Sequence, residues 1–235
     1  MGIKVILFDL DGTLLPMDQD EFIKMYFGGL VRALLPHGYD AERLPKAIWL
    51  GTGAMIENDG MATNEEVFWQ TFSTVYGKNV REDEPLFEKF YAEDFDKVSA
   101  VATPDPAVPE LIHRLKADGY RIALATNPVF PAIATQKRTR WAGISVDDFE
   151  LYTTYENSRY CKPSLDYYRG ILDKLGVSAE DCLMVGNDVS DDMVTEKLGM
   201  KVFLITKHLI NKDGADISGY PQGDFHDLYE YIKAN

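Results

Sequence analysis

Cysteine is scarce in this 235-residue chain, which has only Cys161 and Cys182. Two thiols with neither the number nor the spacing of a zinc site or disulfide framework exclude both as organising devices, and both are expected to be reduced. Positive charge is also in short supply: 24 Lys and Arg face 38 Asp and Glu, a formal net charge of −14. Such a balance repels nucleic acid and anionic membranes, so neither is expected as a partner. No stretch approaches the roughly 20 apolar residues that cross a bilayer. The chain enters its first apolar run at once, without room for a leader and cleavage site, and a cytoplasmic protein is expected. The four histidines, His37, His113, His208 and His226, form no pair at the helical spacing of metal ligands, and are expected to be structural or superficial. There is no internal repeat or low-complexity tract to suggest disorder.

What is present starts with Ile3-Lys4-Val5-Ile6-Leu7-Phe8, an almost unbroken apolar run that empties into Asp9-Leu10-Asp11-Gly12-Thr13. A run apolar on both faces suits a central parallel strand covered by helices on each side. Ligands in such sheets bind at the carboxyl ends of strands, where Asp9 and Asp11 fall. Residues two apart in an extended segment share a side, so both carboxylates can approach one small site. Two acids that close repel unless a cation or a shared proton intervenes.

From about Asp18 to Ala100 the signals are helical. Phe22, Met25, Tyr26, Leu30 and Leu34 recur near the spacing of one helix face, with Asp18 and Asp20 as candidate N-caps. Thr63 with Glu66 fits a capping box whose helix stops at Gly77. Helical turns are also expected over 44–56 and 85–95. Trp49 and Trp69 are expected in the core. From Pro104 helices alternate with short apolar runs: helix 106–118, strand 122–125, helix 131–142, strand 150–153, helix 164–175, strand 182–185, a helix to Gly199, strand 202–205 and a mixed tail. That alternation implies an α/β fold, a Rossmann-like parallel sheet with helices on both faces. Residues 1–16 and 101–235 are expected to form the α/β core, and 17–100 an inserted helical unit.

Three strand ends carry polar groups: Asp9 with Asp11, Thr126 with Asn127, and Asp188 with Asp192, while Lys162 opens the helix before the third. With these four motifs in this order, the chain resembles the haloacid dehalogenase superfamily. The resemblance implies a helical cap after the first motif and a magnesium-dependent phosphatase acting on a small phosphorylated metabolite, such as a sugar phosphate or nucleotide. It implies Asp9 as the nucleophile that becomes an aspartyl phosphate, and Asp11 as the acid and base that serves the leaving alcohol and the attacking water. Thr126, Asn127 and Lys162 would bind the phosphoryl group. Magnesium would be held by Asp9, the Asp11 carbonyl and Asp188, with Asp192 in support. In that last motif two registers remain open, since Asn187 can take the first place and make the site less negative. Asp191 is expected to be a surface charge. Dehalogenases and phosphonate hydrolases of the superfamily lack Asp at the position of Asp11, so its presence favours transfer to water. A phosphomutase sharing these residues is an alternative, as is a binding module without turnover. Arg32, Arg43, Lys46 and Asn58 are expected to be solvated rather than bound to substrate.

Overall fold

The computed structural model describes residues 2–77 and 79–235. Its strands are β1 (Val5–Phe8), β2 (Arg121–Leu124), β3 (Leu151–Tyr152), β4 (Cys182–Gly186), β5 (Lys201–Ile205) and β6 (Gln222–Gly223). They form one sheet in the order 3-2-1-4-5-6, with every neighbouring pair parallel. All four residues of β1 are buried, as a central strand requires. Side chains alternate across it: Ile6 and Phe8 face one hydrophobic layer, Val5 and Leu7 the other.

The helices are α1 (Gln19–Leu34), α2 (Arg43–Ile56), α3 (Asn64–Tyr76), α4 (Glu84–Lys89), α5 (Ala107–Ala117), α6 (Ala132–Trp141), α7 (Leu165–Leu175) and α8 (Phe225–Ala234). Helices α5 and α8 cover one face of the sheet through Val108, Leu111, Leu228 and Ile232. Helix α7 covers the other through Tyr168, Ile171 and Leu172. This is the expected α/β architecture. Among the described residues no helix is long and apolar enough to cross a membrane.

Helices α1 to α4 make the inserted unit, entered and left where Met17 pairs antiparallel with Ala102. Asp18 caps α1 by accepting from the Glu21 amide, and Phe22, Tyr26, Leu30 and Leu34 form its buried face. Thr63 and Glu66 close the expected capping box at the start of α3. The helical stretch after α4 changes pitch, running through a π turn at Phe90–Asp94 into 3-10 turns at Phe95–Val101. The insert is clamped to the core by buried Asn64, whose amide donates to the Pro128 carbonyl at 3.1 Å. Lys137 of α6 adds a bond to the Ala92 carbonyl at 2.7 Å.

Three expectations change. Trp69 is 4% exposed, but Trp49 is 50% exposed, on the cavity side of α2 rather than in its core. The helix expected to end at Gly199 is a 3-10 segment, Met193–Leu198, because the acidic loop preceding it consumes the residues of a first α turn. The mixed tail contains β6 and α8, the latter started by an Asp224–Asp227 capping box. The two-residue β6 is too short for alternation to reveal it.

Candidate active site

The register of the sheet brings the motifs together. Phe8 pairs with both Leu124 and Val185, so the segments following β1, β2 and β4 leave the sheet at one level. The Asp9 amide donates to the Val185 carbonyl at 2.9 Å, and the Ala125 amide to the Phe8 carbonyl at 2.7 Å, extending the ladder up to the acids. Strand β1 lies between β2 and β4, the point in an open sheet where a crevice forms. A cavity of about 290 Å³ sits there, between sheet and insert.

Lys162 is the electrostatic centre. It is 3% exposed, and its ammonium donates to Asp9 Oδ1 at 2.8 Å and Asp192 Oδ1 at 2.6 Å. Burial pushes its pKa down, but the flanking Asp192 and Asp9 carboxylates outweigh that and raise it well above the ordinary lysine value. The lysine therefore stays protonated beside the acids. Asp192 is 1% exposed, and burial raises its pKa to about 7 against the opposing pull of Lys162. Thr13 Oγ1 lies 3.1 Å from Asp9 Oδ2 and 2.9 Å from Asn187 Oδ1, so its single proton serves one of them at a time. Gly12 makes this turn with φ +87°, and a Cβ there would come within 2.4 Å of Asn187 Nδ2. The residue must be glycine on both counts.

In the acidic loop, Asn187 is 1% exposed and donates to the His208 carbonyl at 2.6 Å. Asp188 Oδ1 accepts from the Ser190 and Asp191 amides, and its own amide donates to Asp192 Oδ2 at 3.0 Å. Asp188 Oδ2 has no partner among the described residues. Asp191 is not the surface charge expected: it is partly buried on the cavity wall, and burial raises its pKa. The Thr126 side chain and Asn127 also line the cavity. The Asn127 amide N–H has no acceptor among the described residues, and its side-chain Oδ1 is buried and unpaired.

No three His, Cys, Asp or Glu side chains among the described residues converge as metal ligands. Magnesium does not need three: it keeps several waters and takes one or two carboxylates plus substrate oxygens. Asp9, Asp11 and Asp188 all line the cavity and carry hard oxygen donors, a chemistry that fits that ion.

Asp11 has a partner that sequence reasoning did not provide. Its Oδ2 accepts from Nη1 of Arg138, on α6, while Oδ1 is buried and unpaired. Arg138 is 1% exposed, with its guanidinium 4.6 Å from the centre of the Phe130 ring and Nη2 3.3 Å from Thr135 Oγ1. Burial raises the Asp11 pKa, with Asp9 adding to the rise and Arg138 opposing it. A signal for Arg138 existed. Thr135-Gln136-Lys137-Arg138-Thr139-Arg140 has no apolar face, yet the helix linking β2 to β3 must lie against the core, so it has to bury charge with a partner. By contrast, Arg32, Arg43, Lys46 and Asn58 all lie off the cavity; Asn58 bonds to Asn64 Oδ1 at 2.8 Å instead.

Comparison with known proteins agrees with this geometry. A family model described as haloacid dehalogenase-like hydrolase matches residues 3–195. A phosphoglycolate phosphatase of Colwellia psychrerythraea is 26% identical over 231 residues, covering 97% of this chain and 95% of the relative. The putative phosphatase YhcW of Bacillus subtilis is 25% identical over 203 residues, covering 86% and 83%. Among solved structures, the L-2-haloacid dehalogenase PA0810 superposes with a TM-score of 0.62 at 20% identity over 100% of both chains, a likeness of fold alone. A model match over 3–195, on a sheet that gathers its acids around Lys162, makes this chain a member of the haloacid dehalogenase-like hydrolases, and an enzyme.

Proposed function

We propose that the protein is a magnesium-dependent phosphatase that transfers the phosphoryl group of a small phosphorylated metabolite to water through Asp9. The observation that carries this reading is the second carboxyl group, Asp11, held by Arg138 at the cavity edge with its pKa raised by burial. A raised carboxyl can be protonated when the ester arrives, and so can donate to a leaving alcohol. The phosphatase names of the sequence relatives support the same reaction class.

In the first step a carboxylate oxygen of Asp9 attacks phosphorus in line, the ester P–O bond breaks, and Asp11 gives its proton to the departing alkoxide. In the second, Asp11 takes a proton from water as that water attacks the phosphorus of the aspartyl phosphate. Inorganic phosphate leaves and the Asp9 carboxylate is restored. Lys162, Thr126 and the Asn127 amide would meet the equatorial oxygens, where charge accumulates. Asp192 and Asp9 hold the Lys162 ammonium in position. Magnesium, held by Asp9, the Asp11 carbonyl and Asp188, would neutralise phosphoryl charge and orient the group for in-line attack. The two buried free thiols suit a reducing compartment, the cytoplasm.

The test is release of inorganic phosphate from a generic aryl phosphate by the wild type, Asp9→Asn and Asp11→Asn, with and without magnesium. Turnover is expected only with the metal, lost in Asp9→Asn and reduced about 10²–10⁴-fold in Asp11→Asn. Equal rates for the wild type and Asp9→Asn would overturn the reading.

A further inference from the structure

From the catalytic acid to the mouth of the cavity runs an unbroken series of aromatic contacts. The Arg138 guanidinium that holds Asp11 lies 4.6 Å from the Phe130 ring centre. The Phe130 ring is 5.4 Å from that of Tyr26, Tyr26 is 5.1 Å from Phe27, and Phe27 is 5.6 Å from Trp49. Tyr26 is buried and its hydroxyl is occupied by that of Tyr91 at 2.8 Å, so it offers the cavity mainly a ring. Phe27 and Phe130 are partly exposed and Trp49 half-exposed, and all three line the cavity. A tryptophan on the cavity lining that stays half-exposed keeps apolar surface for a further contact.

The charge on the walls is equally one-sided. Among its described residues the inserted unit contributes no Asp, Glu, Lys or Arg to the lining; its polar side chains there include neutral Gln19 and Thr52. The cations come from the core. Arg138 is committed to Asp11 and Lys162 to Asp9 and Asp192, while exposed Lys212 sits on the loop after β5, beside the acidic loop. A leaving group bearing a carboxylate or second phosphate would meet no cation among the described residues of the insert that line the cavity, and would lie near five core aspartates. Desolvating an anion against aromatic rings is unfavourable, whereas a neutral ring gains from burial and from offset or edge contacts.

We propose that the Phe130–Tyr26–Phe27–Trp49 wall is the leaving-group site, and that the preferred substrates are phosphate monoesters of neutral, ring-bearing apolar alcohols. This inference rests on the phosphatase reading, which puts the leaving oxygen at Asp11 and the rest of the alcohol along the rings. Trp49 is the specificity-determining residue at its outer end, reached by leaving groups of several atoms and not by short ones.

The experiment compares 2-phenylethyl phosphate with propyl phosphate and phosphoglycolate. All three release alkyl alcohols, so intrinsic reactivity differs far less than between aryl and alkyl esters. Wild-type kcat/KM is expected to be about tenfold higher for the phenylethyl ester than for either other ester, the scale of one good aromatic contact. Trp49→Ala is expected to lose about tenfold on the phenylethyl ester, mostly in KM, and about twofold or less on propyl phosphate, with Trp49→Phe restoring most of the loss. Preference for phosphoglycolate, or an equal loss on all esters in Trp49→Ala, would overturn the inference. Calorimetric binding of 2-phenylethylphosphonate against propylphosphonate reads the same wall without turnover. Tighter binding of the former with no hydrolysis of any ester would sink the phosphatase reading and leave the aromatic site standing. Equal binding of the two would sink the site itself.

Discussion

Replacing Arg138 with methionine keeps most of the side chain's length and removes the charge that holds Asp11. Arg138 is 1% exposed, so the pair belongs to the interior on its side. Breaking a buried pair by deleting one member typically costs about 3–5 kcal/mol, because the survivor is left charged and uncompensated. Asp11 has some relief: 23% of its side chain is exposed and its pKa is already raised by burial, so it can lose its charge by taking a proton. The expected cost is therefore at the lower end, about 3 kcal/mol at pH 8, shrinking as the pH falls. The sign follows from linkage. A carboxyl whose folded pKa exceeds its unfolded value contributes stability that is complete below the unfolded value and is lost as pH rises through the folded one. Removing Arg138, which opposes the rise, moves Asp11 further up and widens that window. Urea unfolding at pH 8 and pH 5.5 measures the effect, with a double-mutant cycle to Asp11→Asn isolating the pair. Asp11→Asn alone strands the guanidinium, and the double variant strands nothing, so the interaction energy should be about 2–3 kcal/mol. An interaction below about 0.5 kcal/mol would refute the claim that the two side chains depend on each other.

Gly12→Ala should destabilise by about 3 kcal/mol, from an unfavourable φ and a Cβ driven into Asn187, and lower Tm by roughly 6–12 °C; a loss under a degree in calorimetry would contradict the close approach. Both thiols are raised by burial, Cys161 to about 12 and Cys182 to about 11. Iodoacetamide at pH 8 should leave them unmodified in the folded protein and label both in guanidinium, and rapid labelling of the native enzyme would contradict their burial. The same shifts imply stability that is present below the ordinary thiol value of 9.0 and lost as pH rises through 11 to 12, readable as a fall in Tm across that window.

Much of the fold can be read locally. The strand at 3–8 is apolar at every position but one, and only burial on both faces satisfies such a run. The Thr63–Glu66 box and the start of α1 at Asp18 lie within three or four residues of the helices they begin, and both are where the spacing put them. The positions of Asp9, Asp11, Thr126 and Asp188 at strand ends follow from that same short-range pattern. The tail was less legible because β6 has two residues and is separated from β5 by the long loop 206–221.

What the sequence determined by itself was the set of acids and the layers that carry them, because alternation and capping are written over a few neighbouring residues. Tertiary structure alone decided how that set is wired. Lys162 reaches Asp9 from 153 residues away and Arg138 reaches Asp11 from 127, contacts that exist only once the parallel sheet has closed. It also decided that, of two tryptophans lining one cavity, Trp49 is half-exposed while Trp69 is buried. Both are aromatic residues on amphipathic helices, and composition is the same for a ring packed in a core and one left open at its edge. The difference lies in where α1, α2 and the loop after β2 leave space, which no local pattern records.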